Sequence, residues 1–395
     1  MTPMLSGLLS KRRWPIGLDI GTAVVRMLQL QRVGGNVSVV SAGKADLPPG
    51  SHAGPGRPQA VAEAIRSILA AGHFRGRRVV SALSCKDMHV KNVRMPAMSD
   101  RELVGAVRWE ADERFPFQPT DDQLRWIKAG QIRQGTDVRE EVIMMAAQPG
   151  AVEKHLDLLS DVGLVAAHIE PEPLALFRAF SRFLRRQGDE QAVNVVVDVG
   201  HSGTRVTVAR GRRVVFVKAL DISGQQFTQA VAKHLNLSPG EAAELRLRMM
   251  REGEPPRGGT DRGDDGHDGA TDAGTKDWTL WDAMRPQAEA LAREISLCLR
   301  YCSVTFRGLR PQKLVLIGGE SADAALVELL GENIGVECVV GEPLRGVDVR
   351  NMGVDAATRR GALAEWGVCT GLAMRETNLE NVSSETCDDE RRLSA

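Results

Sequence analysis

A hairpin that occurs twice limits what this chain can fold into more than any other feature. Residues 16–30 read Ile16-Gly17-Leu18-Asp19-Ile20-Gly21-Thr22, then an apolar run to Leu30. Residues 193–208 read an apolar run from Val193, then Asp198-Val199-Gly200-His201-Ser202-Gly203-Thr204, then an alternating run to Val208. In both, a strand ends in Asp-x-Gly, turns on small residues and returns. Taken once, the turn is as readily an ordinary hairpin whose Asp and Gly serve the bend. Repeated roughly 180 residues later, it describes two equivalent lobes. Such a turn can point several backbone N–H groups into one concavity, which suits a phosphate tail. Asp19 at its rim is placed to hold a hydrated divalent cation.

Composition narrows the function classes. The 51 Lys and Arg balance 51 Asp and Glu, so no net field draws the chain to nucleic acid or an anionic membrane. Aromatic content is only 4%, with one Tyr, which argues against a base-stacking surface. No apolar run reaches the roughly 18–20 residues that span a bilayer. The basic cluster Lys11-Arg12-Arg13 follows the first apolar residues, the reverse of a secretory signal, so a cytoplasmic location is expected. Six cysteines lie at 85, 298, 302, 338, 369 and 387. Cys298 and Cys302 share a helix face, but no His or second Cys pair accompanies them. Free thiols in a reducing compartment follow.

The chain divides as follows. Residues 1–14 read as a mobile leader, with a membrane touch through Leu5, Leu8, Leu9 and Trp14 as the alternative. Residues 15–83, 166–187 and 355–375 form a first lobe, interrupted by an inserted subdomain over 84–165. That subdomain has its own strands and a helix opened by the capping box Ser99-Asp100-Arg101-Glu102. Residues 190–222 and 307–350 form a second lobe. A helical subdomain spans 223–306, with a second capping box at Ser238-Pro239-Gly240-Glu241. Within it, residues 253–276 have almost nothing apolar and read as a disordered insert, and 376–395 read as a disordered acidic tail.

A third turn, Ile317-Gly318-Gly319-Glu320, follows a strand in the second lobe. Neither Gly-x4-Gly-Lys-Ser/Thr nor Gly-x-Gly-x-x-Gly occurs, which removes P-loop and Rossmann readings. The three turns together resemble the nucleotide-binding set of the actin/Hsp70-like ATPase superfamily. The resemblance implies an α/β, actin-like (ribonuclease H-like), two-lobed ATPase fold. It also implies ATP held between Asp19, Gly21, Thr22 and Arg26 on one side and Asp198, Gly200, His201, Ser202, Gly203 and Thr204 on the other. Asp19 and Asp198 would hold Mg2+ through waters, while Gly224, Gly318, Gly319 and Glu320 lie toward the nucleoside. Here His201 adds bulk, Gly203 interrupts the hydroxyls, and Arg26 stands where Lys is common, so binding is better supported than hydrolysis.

The inserted stretch Met95-Pro96-Ala97-Met98-Ser99-Asp100-Arg101-Glu102-Leu103 through Trp109-Glu110-Ala111-Asp112-Glu113-Arg114-Phe115-Pro116-Phe117 resembles the PilM family of type IV pilus assembly proteins. So do the basic leader, Ser223-Gly224-Gln225-Gln226-Phe227 and Gly371-Leu372-Ala373-Met374-Arg375. That resemblance implies an FtsA-like placement of the inserted subdomain and a position at the inner face of the cytoplasmic membrane. It also implies docking of the N-terminal cytoplasmic peptide of a PilN-like inner-membrane protein, with self-association as in actin relatives left open. The groove for the peptide would lie between the first lobe and the inserted subdomain, lined by Val107, Ala111, Phe115 and Phe117. For each of these, subdomain core is an equal alternative. Glu170 and Glu172, at a strand end, are candidates for orienting a hydrolytic water, against a simple charge effect at a helix N-terminus. The competing functions are a sugar-type kinase of the same superfamily and a scaffold with a decayed nucleotide site.

Overall fold

A computed structural model describes residues 12–33, 36–84, 86–134, 136–184, 186–252, 272–306, 308, 310–352 and 363–377. Strands β1 (Arg12–Arg13), β2 (Ile16–Ile20), β3 (Val24–Val33) and β4 (Asn36–Asp46) pair antiparallel around β3. Helix α1 (Arg57–Ala71) crosses over, and β5 (Arg78–Leu83) returns parallel to β2. An inserted unit follows: β6 (Met88–Pro96), α2 (Asp100–Arg114), β7 (Leu124–Gln134) and β8 (Asp137–Ala147), a sheet in the order β6-β8-β7. Helix α3 (Ala151–Asp161) leads to β9 (Val165–Pro171), which rejoins the first sheet beside β5, and α4 (Glu172–Ser181) follows.

The second sheet begins with β10 (Val193–Val199), β11 (Thr204–Arg210) and β12 (Arg213–Leu220). Helices α5 (Gly224–Leu235), α6 (Pro239–Glu252) and α7 (Asp272–Thr305) intervene before β13 (Lys313–Ile317), α8 (Ala324–Ile334) and β14 (Glu337–Val340). Helix α9 (Gly367–Ala373) is the last helix among the described residues.

Strand order runs β4-β3-β2-β5-β9 in the first sheet and β12-β11-β10-β13-β14 in the second. Three strands pair antiparallel and the next two parallel in both. The repeated hairpin is therefore a repeated topology, and the fold is actin-like. Each first strand is covered on both faces, which is why β2 and β10 are apolar nearly throughout.

Helix α9 returns to the first lobe and lies against β2. A Cβ on Gly17 would stand 2.5 Å from the Ala373 nitrogen, and one on Gly371 only 1.7 Å from the Ala175 carbonyl in α4. Only glycine allows these backbones to approach so closely.

The inserted unit hangs from the first lobe but rests on the second. One face of its sheet packs under α2. The other shares a core with Phe216 and Val217 of β12 through Met88, Ala129, Ile143 and Met145. Asn92 Nδ2 donates to the Val217 carbonyl at 3.0 Å.

Several expectations need correction. Arg12–Arg13 pair with β3 and Trp14 is 3% exposed among Leu28, Leu30 and Trp366, so residues 12–14 are sheet and core, unavailable to a membrane. Residues 1–11 lie outside the described residues. Helix α7 already runs at Asp272, so 272–276 are helical rather than part of the insert, and 253–271 lie outside the described residues. Glu376 pairs with Arg78 at 2.7 Å and Thr377 is buried, so order extends past residue 375. Residues 378–395 lie outside the described residues. Cys298, Cys302 and Cys369 are buried free thiols, with Cys302 pushed up to about 12 by burial and then by Cys298. No described helix is long and apolar enough to cross a membrane.

Candidate functional site: the cleft between the lobes

Each lobe carries an aspartate and an arginine at the same place. Asp19 and Arg26 are register partners across β2 and β3, with Arg26 Nη1 3.7 Å from Asp19 Oδ2. Asp198 and Arg205 are register partners across β10 and β11, with Arg205 Nη1 2.9 Å from Asp198 Oδ2. Arg26 also donates to Glu365 Oε2 at 2.7 Å, and Lys44 to the other Glu365 oxygen at 2.7 Å. Arg205 instead reaches across the cleft: its Nε lies 2.7 Å from Oε2 of Glu172, the first residue of α4. One guanidinium thus joins the lobes.

The turns beside these pairs meet. Thr22 Oγ1 and Ser202 Oγ are 2.6 Å apart, and the rings of His52 and His201 make an edge contact at 4.7 Å. Arg57, at the start of α1, donates to the carbonyls of Gly21 (3.0 Å) and Thr22 (2.9 Å). The start of α5 pins the second turn: the Gly224 and Gln225 amides donate to the Gly200 (3.0 Å) and His201 (2.9 Å) carbonyls. Thr204 spends its hydroxyl on the Ile222 carbonyl at 2.6 Å, and the Gly200 amide donates to Gly203 at 3.0 Å.

The third turn closes one end. Gly318 has φ 89°, and a Cβ there would stand 2.4 Å from the Val199 carbonyl and 2.5 Å from Asp198 Oδ1. Beyond Gly319, Glu320 pairs with Arg246 at 2.5 Å and lies where a side chain on Gly224 would project. Arg246 also donates to the Gly224 carbonyl at 3.1 Å. The structure therefore gathers the residues expected from all three turns around one cleft.

Charge in the cleft is tightly held. Burial, with the Asp198 charge adding, pushes the Asp19 carboxyl up against the pull of Arg26 and Arg205. Burial would raise Glu365 too, but Arg26 and Lys44 hold it below its ordinary value. Burial, then the neighbouring His52 and Lys86, push His201 down to about 4.

The carboxylates expected to hold Mg2+ through water are each charge-compensated. Asp19, Asp198 and Glu172 each already face a guanidinium. Among the described residues, no group of three or more His, Cys, Asp or Glu could hold a metal ion.

Two further expectations are corrected. Glu170 takes Arg178 Nη1 and Nη2 at 2.5 and 2.7 Å and Arg375 at 2.9 Å, a buried ion cluster between α4 and the end of α9. Glu172 is bound to Arg205. Both carboxylates are committed to ion pairs. Val107, Ala111 and Phe115 are core, because α2 lies flat on its own three-stranded sheet. Phe117 packs on the rings of His89 (5.5 Å) and Phe115 (6.2 Å). Phe117 itself is half-buried; on α2 the exposed large apolar residues are Val104 and Trp109.

Sequence reasoning missed Arg205, Arg57, Glu365 and Arg246. A signal existed for Arg205: Arg stands seven residues after Asp in both repeats.

The family described as type IV pilus assembly protein PilM matches over residues 17–253. Among solved structures, the chain is similar to the PilM-PilN type IV pilus biogenesis complex, with 25% identity and a TM-score of 0.72 over 91% of this chain and 98% of that chain. It is also similar to the ethanolamine utilization protein EutJ from Carboxydothermus hydrogenoformans, at 13% identity and TM-score 0.49 over 93% of this chain and 91% of that one. MreB 5 of Spiroplasma citri bound to AMPPNP matches at 10% identity and TM-score 0.46, over 97% and 99%. With the two-lobed fold, the duplicated turns and more than half of the sequence in agreement, the chain belongs to the PilM family of type IV pilus assembly proteins.

Proposed function

We propose that this chain is a nucleotide-binding scaffold of a type IV pilus or related secretion or DNA-uptake machine, working at the inner face of the cytoplasmic membrane. ATP lies between the Asp19 and Asp198 turns, with Gly318, Gly319 and Glu320 toward the nucleoside. The observation that carries this reading is the meeting of the two turns from separate lobes, 2.6 Å apart at Thr22 and Ser202. Arg26, Arg57 and Arg205 supply cationic donors beside both turns, the chemistry a polyphosphate needs. The partner is the cytoplasmic peptide of a PilN-like protein, as the similarity to the PilM-PilN complex supports. Lobe movement reaches the docking surface because the inserted unit rests on β12. Val104 and Trp109 on α2 are its accessible apolar anchors. A kinase reading has no observation in its favour among the described residues.

The test combines two titrations. Asp19→Ala should abolish ATP binding, and wild-type affinity in that variant would remove the cleft assignment. A PilN-like peptide titrated with and without ATP should bind with different affinities; equal affinities would leave a scaffold indifferent to nucleotide.

A further inference from the structure

We propose that Glu320 is an internal anion that holds the nucleoside end of the cleft shut, so that a nucleotide enters there only by displacing it from Arg246. The inference rests on the nucleotide reading above.

Glu320 follows the two glycines of the third turn, and its carboxylate lies over the start of α5. The space it fills exists because residue 224 is glycine: a Cβ there would stand 2.7 Å from Glu320 Cδ. The Gly224 amide donates to the Gly200 carbonyl at 3.0 Å, so the backbone that Glu320 covers is bonded directly to the second turn. Arg246, on α6, is the counter-ion, with Nη2 2.5 Å from Glu320 Oε2. The two side chains are 4% and 13% exposed.

The guanidinium is fixed independently of Glu320. Its Nη1 donates to the Gly224 carbonyl at 3.1 Å and to Thr228 Oγ1 at 2.9 Å, and its Nε to Met284 Sδ at 3.2 Å. Arg246 Cζ also lies 5.5 Å from the centre of the Phe227 ring. The cation is thus built into the helical subdomain, while the anion comes from a short turn of the second lobe, Gly319–Ala322. Their ion pair ties the two parts together across the end of the cleft. A phosphate reaching this place meets a carboxylate, which has no proton to offer it. Only a ligand that takes over the Nη2 donor replaces Glu320 without leaving Arg246 a buried, unpaired charge. Apparent nucleotide affinity therefore scales with the fraction of molecules in which the pair is open.

The probe is mant-ATP, titrated into the full chain and followed by fluorescence anisotropy. Glu320→Ala should bind about tenfold more tightly than wild type, since no internal carboxylate has to leave and the ligand restores the missing partner of Arg246. The same variant should melt lower than wild type without ATP and gain more from added ATP. Equal or weaker binding by Glu320→Ala, as loss of a direct ribose contact gives, overturns the proposal, while wild-type binding keeps the nucleotide reading standing. Absence of binding in both proteins overturns both. Binding by Glu320→Ala that survives an added Asp19→Ala lies outside the cleft and also overturns the proposal. Where Glu320→Ala does not fold, Glu320→Gln removes the charge at the same size and should bind at least about threefold more tightly than wild type; unchanged or weaker affinity overturns the proposal.

Discussion

Thr22 Oγ1 and Ser202 Oγ share a hydrogen bond of 2.6 Å across the cleft, and each belongs to a copy of the same turn. Neighbouring backbone on both sides is pinned, by Arg57 in one lobe and by the start of α5 in the other. Thr22→Val removes the bond while keeping the shape. It should cost about 1 kcal/mol of stability and raise hydrogen exchange in peptides covering both turns. Unchanged protection on both sides would mean that the lobes are not held there.

Glu170 is buried and bound by Arg178 and Arg375. Removing one partner of such a buried cluster leaves uncompensated charge, so Glu170→Gln should lose about 3–5 kcal/mol in urea unfolding. The ATP affinity of the folded protein should not change. A normal urea midpoint with impaired nucleotide handling would give Glu170 a part in nucleotide chemistry instead of a structural one.

Val107 and Trp109 lie two residues apart on α2 and should behave oppositely. Val107 is fully buried, and Val107→Ala should cost about 2 kcal/mol without altering peptide affinity in the folded protein. Trp109 is 64% exposed. Trp109→Ala should leave stability within about 0.5 kcal/mol and weaken binding of the PilN-like peptide about tenfold. A wild-type peptide titration for Trp109→Ala would move the docking surface elsewhere.

His201 gives the cleft a pH response of defined sign. Its folded pKa is pushed from 6.5 to about 4, so the fold favours the neutral ring. The associated stability is complete above 6.5 and is lost as pH falls from 6.5 toward 4. Protonation would set a cation against His52 of the other lobe. Thermal melting followed between pH 7 and pH 4 should show a fall that His201→Gln flattens. A parallel pH profile in the variant would assign the loss to other groups.

Legibility in the sequence followed the range of the physics. Strands and capping boxes are local, and both Ser99-Glu102 and Ser238-Glu241 form their reciprocal bonds. The two Asp-x-Gly turns were visible because they repeat. Arg205 was visible on the same ground: around one tight turn, positions seven apart face each other on the returning strand, as Asp19 and Arg26 do. Arg57 and Glu365 reach the cleft from distant segments, and no local pattern marks them. Helical spacing placed Val107 and Ala111 on one face of α2 but could not say what covers that face. Residues 272–280 join α7 because Leu280, Trp281 and Met284 bury themselves in the second lobe, a tertiary contact that a Gly- and Asp-rich approach conceals.

Helix α9 touches β2: Cys369 Sγ lies 3.4 Å from the Gly17 carbonyl, 352 positions apart. During synthesis, β2 therefore emerges with one side uncovered and stays so until α9 (Gly367–Ala373) has been made. The second sheet, contiguous from Val193 to Val340, needs no such wait. Long loop closure is slow, so the half of the molecule translated first is the half completed last. A nascent chain stalled before residue 363 would present an apolar seam to chaperones and to its own copies.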